Sequence, residues 1–240
     1  MQWTDEAIVL SVRPHGETAA VAELFTRTHG RHLGLVHGGR SRKLRPVLQT
    51  GNQVNATWKA RLAEQLGHVS LELLRPFAAD AMDSSIALGG LSSMAALTRL
   101  LPERDPHPSL YEVTLFVLGF LDDATVWPAL YVRWELALLD ELGFGLDLTQ
   151  CAATGGNDQL IYVSPKSGRA VSASAGEPYK DRLLALPGFL ARSSGAHVGA
   201  DDIRDGLALT GHFLDARVLS QRGETMPEVR LRLAEQLARA

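Results

Sequence analysis

Val21-Ala-Glu-Leu-Phe-Thr-Arg-Thr28 alternates residue by residue, with Val21, Glu23, Phe25 and Arg27 on one side and Ala22, Leu24 and Thr26 on the other. A period of two is the mark of a strand with two unlike faces. Upstream, residues 7–12 form a short run rich in β-branched residues, stopped by Pro14 and a turn at Gly16-Glu17. Downstream, His29-Gly30 separates the alternating stretch from a third strand at 31–37, with Leu33, Leu35 and His37 on one face, closed by Gly38-Gly39. Arg40-Ser-Arg-Lys-Leu-Arg-Pro46 is too charged for a core strand and reads as an exposed loop. Gly51 opens a strand at 53–61 and Gly67 another at 68–75. Five short strands punctuated by turn residues predict a small closed or half-closed barrel over residues 1–79.

From Ala78 the period changes to that of helices. Ile86, Leu88, Leu91, Met94 and Leu97 make one stripe, and Pro102, Pro106 and Pro108 break the chain after it. Residues 110–121 make a dense apolar helix. Trp127, Leu130, Trp134, Leu138 and Leu142 make another stripe, ended by Gly143 and Gly145. Residues 151–178 hold no helical period and many Gly, Ser and Ala. Helices are expected again at 180–186, 201–219 and 227–238, with Asp201 and Asp202 at a helix start and Pro227 in a first turn. The expected class is α+β and multidomain: an N-terminal barrel, then a helical region.

The net charge of −3 conceals a local imbalance. Residues 27–61 hold eight of the 24 Lys and Arg residues (Arg27, Arg31, Arg40, Arg42, Lys43, Arg45, Lys59, Arg61) and none of the 27 Asp and Glu. Such a segment faces an anion. A cationic barrel that tracks a phosphate backbone and stacks bases on aromatic rings is a single-strand platform. Arg40, Arg42, Lys43 and Arg45 are the first candidates for DNA contact, Arg13, Arg31, Lys59 and Arg61 the second. Trp58 reads equally as a base stacker or as a core residue; Phe25 and Trp3 are weaker stacking candidates. His29, His32 and His37 share the window, but a strand would send His29 and His32 to opposite faces with no carboxylate near, so no metal site is expected.

No Gly-x-Ser-x-Gly, Gly-x-x-x-x-Gly-Lys-Ser/Thr or strand-borne Gly-x-Gly-x-x-Gly is present, so neither a nucleophile elbow nor a nucleotide loop is expected. Asp122-Asp123 reads as a solvated helix end. The chain is expected to be no enzyme and to carry no cofactor. No apolar run approaches the ~18 residues of a membrane span. The start, Met-Gln-Trp-Thr-Asp-Glu, is acidic where a signal peptide is basic, so a cytoplasmic protein is expected. The single Cys151 excludes an intrachain disulfide.

The order of the pieces resembles the RecO family of bacterial recombinational repair proteins. The resemblance lies in Glu6-Ala-Ile-Val-Leu-Ser-Val-Arg-Pro-His-Gly-Glu-Thr18, Leu24-Phe-Thr-Arg-Thr-His-Gly-Arg31 and Val36-His-Gly-Gly-Arg-Ser-Arg-Lys43. Arg133-Trp-Glu-Leu-Ala-Leu-Leu-Asp-Glu-Leu-Gly-Phe-Gly-Leu146 and Tyr162-Val-Ser-Pro-Lys-Ser-Gly168 complete it, so it runs through nearly the whole chain. It implies an OB-type barrel (1–79), a helical domain (80–150 and 177–240) and a small zinc-ribbon-like insertion (151–176). Of the four cysteines some members carry there, only Cys151 remains; the other positions fall at Thr154 and near Ser172 and Ala175, so the insertion is expected to be metal-free and held by Leu160, Tyr162 and Val171.

The resemblance also implies binding of single- and double-stranded DNA and annealing of complementary strands. It implies work with RecR and with the acidic C-terminal tail of the single-stranded DNA-binding protein, help in loading RecA, and a place at the bacterial nucleoid. Arg133, beside Leu130 and Trp134 on one helix, is the candidate tail contact. The alternative is an OB-fold RNA-binding or other nucleic-acid-binding protein outside recombination.

Overall fold

A computed structural model describes residues 1–62, 64–191 and 198–239. It divides into two compact units, Met1–Asp122 and Asp123–Ala240.

The first unit begins with five strands: β1 (Gln2–His15), β2 (Ala19–Thr26), β3 (Gly30–Val36), β4 (Gln53–Lys59) and β5 (His68–Arg75). They close into a barrel in the order β1-β2-β3-β5-β4. β1 is far longer than the expected 7–12 because it serves two partners. Its first half pairs with β4, Gln2 opposite Lys59, and its second with β2, Arg13 opposite Val21, with a register shift between Val9 and Ser11 where the strand bends. The bend lets one strand close the sheet. Inside lie Ala7, Val9, Ala22, Leu24, Val54, Ala56, Trp58 and Val69. Four small inward residues (Ala7, Ala20, Ala22, Ala56) keep the barrel narrow, and the Trp58 ring fills one end. Gly67, at φ +66°, lies against that ring: a Cβ there would come 2.4 Å from it.

The outer side of β2 is covered within the same unit, which explains why Glu23 and Phe25 are buried on a face the pattern alone leaves open. After α1 (Phe77–Asp80) come α2 (Ser85–Thr98), capped by the Ser84 hydroxyl accepting from the Ala87 amide, and α3 (Pro108–Leu118). Phe25 meets the Tyr111 ring of α3 edge-on at 5.6 Å. Arg27 donates to Glu112 at 2.6 Å, and Arg99 to Glu23 at 2.8 Å.

The second unit opens with α4 (Trp127–Glu141), whose Trp127, Tyr131, Trp134 and Leu138 are buried as the stripe requires. β6 (Leu160–Val163), β7 (Ala170–Ser172) and β8 (Leu184–Ala185) form a three-stranded sheet in the order β7-β6-β8. The helix expected at 180–186 is absent: α5 (Ala173–Gly176) runs into a 3-10 turn, Glu177–Arg182, and then into β8. Pro187 forces the residue before it toward extended backbone, and the Leu186 amide donates to the Ile161 carbonyl at the sheet edge instead. α6 (Ala200–Phe213) starts with Asp202 accepting the Gly199 amide, passes through a π segment, Leu214–Leu219, and ends in α7 (Ser220–Arg222). α8 (Glu228–Leu237) begins just after Pro227, which caps it from outside and not from within the first turn. Arg230 of α8 and Glu135 of α4 form a buried ion pair at 3.0 Å, with Thr210 as a further donor to the carboxylate.

Candidate nucleic-acid interface

The eight cations of residues 27–61 separate into two groups. Arg27 and Arg31 are paired with carboxylates of the first unit, Arg27 with Glu6 and Glu112 at its surface and Arg31 further in. Arg31, expected at the DNA surface, pairs with Glu23 and Glu103 and donates to the Leu101 carbonyl, leaving its side chain 16% exposed. Its strand lies beneath the segment that follows α2, so its charge is spent on a buried carboxylate and Arg31 is no free phosphate contact. Burial acts to raise the Glu23 carboxyl, but hydrogen bonds from Ser11 and Arg31 and the charges of Arg99 and Arg31 outweigh it and hold the group below the usual glutamate range.

The other six, Arg40, Arg42, Lys43, Arg45, Lys59 and Arg61, are exposed and have no acidic partner among the described residues. The first four sit between β3 and β4, in a segment wound into turns. The Leu44 and Arg45 amides donate to the Ser41 carbonyl and the Leu48 amide to that of Leu44. Leu48 is buried in the barrel core, and the Asn52 side chain ties the Pro46 carbonyl to the Ala78 amide. Arg40 donates to the carbonyls of Gly16 and Glu17. The loop is therefore a pinned platform, not a free flap. Arg40 and Arg45 border one groove with Val12 and Pro14.

Lys59 and Arg13 lie at opposite ends of one cross-strand row: Lys59 faces His68, His68 faces Leu35, Leu35 faces Val21 and Val21 faces Arg13. Residues paired this way share a face of the sheet. The row crosses all five strands of the closed barrel, so it winds around the outside over about 19 Å of arc and does not set the two cations side by side. The face is banded. The next row is neutral, with Thr4, Thr57 and Ser70 opposite one another. The row after it is acidic: Glu6, Asn55, Glu72. Along β4 the basic and acidic rows stand four residues apart, about 13 Å. Arg61 joins Lys59, Gln65 and His68 in lining a shallow groove. Sequence reasoning missed His68 and also Arg104, whose guanidinium donates to the Gln65 carbonyl beside that groove. Only the β3–β5 and loop contacts reveal them.

The expected stacking residues are not at this surface. Trp58 is 2% exposed, donates its indole N–H to the Leu33 and Leu66 carbonyls, and stacks on Trp3. Period two sends it inward because Lys59 points out. Phe25 is wholly buried, and Trp3 is covered on one side by Trp58 and on the other by His29 at 4.3 Å. His29 and His32 do not diverge as expected. His29 precedes β3, so both rings reach Trp3, and Asp5 of β1 supplies a carboxylate 3.0 Å from His29. His37 lies apart from them, stacked on His68 at 4.6 Å with 20° between the planes. Among the described residues no group of three or more His, Cys, Asp or Glu is placed to hold a metal ion.

In the second unit Arg133 is exposed on α4, donating to the Phe189 carbonyl at 2.7 Å, and Leu130, one turn earlier, is half-buried. Trp134 is fully buried and stacks on Tyr131, so it belongs to the core and not to a surface slot. Cys151 is buried, its sulfur accepting the Ser172 amide at 3.3 Å, so residues 151 and 172 do meet. No helix among the described residues is long and apolar enough to cross a membrane.

The fold and its charge define a two-unit α+β protein with a basic-banded barrel and a helical second unit. Residues 1–77 match the family description Recombination protein O N terminal, and residues 82–225 match Recombination protein O C terminal. The chain belongs to the RecO family. It is 58% identical to the DNA repair protein RecO of Methylobacterium nodulans over 96% of this chain and 95% of that protein. It is 57% identical to the proteins of the same name from Methylorubrum populi (97% of this chain, 96% of that one) and Rhodospirillum centenum (100% and 96%).

Proposed function

We propose that this chain is a DNA repair and recombination mediator that binds single- and double-stranded DNA on an OB-type barrel and anneals complementary strands. With RecR it helps load RecA onto DNA coated by single-stranded DNA-binding protein, in the bacterial cytoplasm at the nucleoid. The observation that carries the reading is the set of six exposed cations without carboxylate partners among the described residues, on the β3–β4 loop and the basic end of the barrel. Two phosphate strands repel each other, and a cationic platform lowers that cost by displacing counterions from both. Nothing in this requires bond chemistry from the protein. The barrel (1–79) is the strand-binding part of the first unit, and residues 151–176 are a small insertion of zinc-ribbon type without its metal ligands. Arg133 with Leu130 receives the acidic tail of the single-strand binding protein, a free carboxylate and apolar side chain needing a cation beside an apolar step.

The test is annealing of complementary oligonucleotides coated with single-stranded DNA-binding protein. Wild type accelerates it, and the variant with Arg40, Arg42, Lys43 and Arg45 all changed to Ala does not. Equal rates with and without the protein would overturn the proposal; preference for RNA over DNA of the same sequence would move it to a different nucleic-acid role.

A further inference from the structure

Annealing needs bases as well as phosphates held at the surface, and the three aromatic rings nominated from the sequence are covered. Among the described residues an exposed ring stack lies beside Lys59 and Arg61. His37, just past β3, lies on His68, the first residue of β5. The two are 31 residues apart in sequence and are brought together by the parallel contact of Leu35 with His68. Both are exposed. Lys59 flanks His68 in the cross-strand row, and Arg61 shares its groove. The other stack that reaches the surface, Trp58–Trp3–His29, ends on a ring bonded to Asp5, whose carboxylate repels a phosphate chain.

We propose that the His37–His68 stack is the base-stacking platform of the barrel, on which an unpaired base of a single strand lies while Lys59 and Arg61 meet the neighbouring phosphates. This rests on the DNA-binding reading above and adds to it the place where a base, and not only a backbone, is held. Imidazole faces stack bases without regard to sequence. In a duplex the bases are stacked on one another and unavailable, so the pair acts on single strands alone.

The experiment compares wild type, His37→Ala/His68→Ala and His37→Phe/His68→Phe by fluorescence anisotropy on labelled oligo(dT) and on a duplex of equal length, over a salt series. Expected for the double Ala variant is about a five- to hundred-fold weaker affinity for the single strand, the range for one lost stacked base. Duplex affinity and the salt slope stay unchanged, because Lys59 and Arg61, which meet the phosphates, are kept. The double Phe variant restores single-strand binding. Unaltered single-strand affinity of the Ala variant, equal losses on single strand and duplex, or a Phe variant as weak as the Ala variant would each overturn the proposal. If the double Ala variant melts early, each single Ala variant carries the same comparison. A wild-type protein that ignores both oligonucleotides overturns the DNA-binding reading itself, a different outcome from selective indifference to the His changes.

Discussion

Arg40 reaches back to the Glu17 carbonyl, 2.9 Å from its Nη1, and fastens the basic loop to the turn between β1 and β2. The loop therefore presents Arg42, Lys43 and Arg45 from a fixed base. Changing all four cations to Ala should weaken binding to single strands and lower the log–log salt slope by about 0.7 for every charge that met a phosphate. Anisotropy titrations at several salt concentrations measure this. A variant with the wild-type slope would show that the loop meets no backbone.

Arg31→Ala should leave DNA affinity within about two-fold of wild type and lower stability by about 2 kcal/mol, the usual scale for a charged hydrogen-bond partner lost at a buried carboxylate. Arg99 still faces Glu23 and limits the loss. Urea unfolding with a parallel binding titration separates the two effects. Reduced binding with full stability would return Arg31 to the interface.

His32 gives the first unit an acid sensitivity. Burial beneath the Trp3 and Trp58 rings outweighs the hydrogen bond to the His29 carbonyl and, with the charges of Arg104 and His29, pushes its pKa below 6.5. The unfolded chain then takes up a proton that the folded chain refuses. The stability held by neutral His32 is complete above pH ~6.5 and falls as pH drops from there toward the folded pKa. Glu23, held below its ordinary value, adds a second loss in the same direction at lower pH, once the solution passes the glutamate range. Melting temperature should fall from pH 7 to pH 5, and His32→Gln should flatten that segment without touching the lower one.

Arg230→Met should destabilise the second unit by about 3–5 kcal/mol, because it strands the wholly buried Glu135 without its cation. The double change Arg230→Met/Glu135→Leu should recover much of the loss, since an apolar pair has no charge to desolvate. Denaturant midpoints of the two variants decide it.

Arg133→Ala should weaken binding of an acidic tail peptide ending in an aromatic residue and leave oligonucleotide binding intact. Peptide anisotropy measures it, and unchanged peptide affinity removes Arg133 from the tail site.

Much of the first unit was legible because period two is a local signal. The strand His68–Arg75 has the bounds read from the sequence, and β2 carries the alternation that decided the fold. What local pattern cannot convey is the partner across the sheet. Arg31 reads as a free cation because its acids, Glu23 and Glu103, lie outside the acid-free window. Trp58 reads as exposed as readily as Lys59 until pairing fixes which parity faces inward. His68 acquires meaning only through Leu35, a contact 33 residues apart. In the second unit β8 is two residues long and owes its form to an edge and a proline, not to a period.

The bands of the barrel have a consequence for how such a chain can drift over generations. Inside and outside alternate, so one residue inserted within β4 between Asn55 and Lys59 would swap the indole and the ammonium and scramble three bands at once. Within β4 such a change has to be absorbed by a bulge, as the shift between Val9 and Ser11 is in β1, whereas the connectors take it without moving any row.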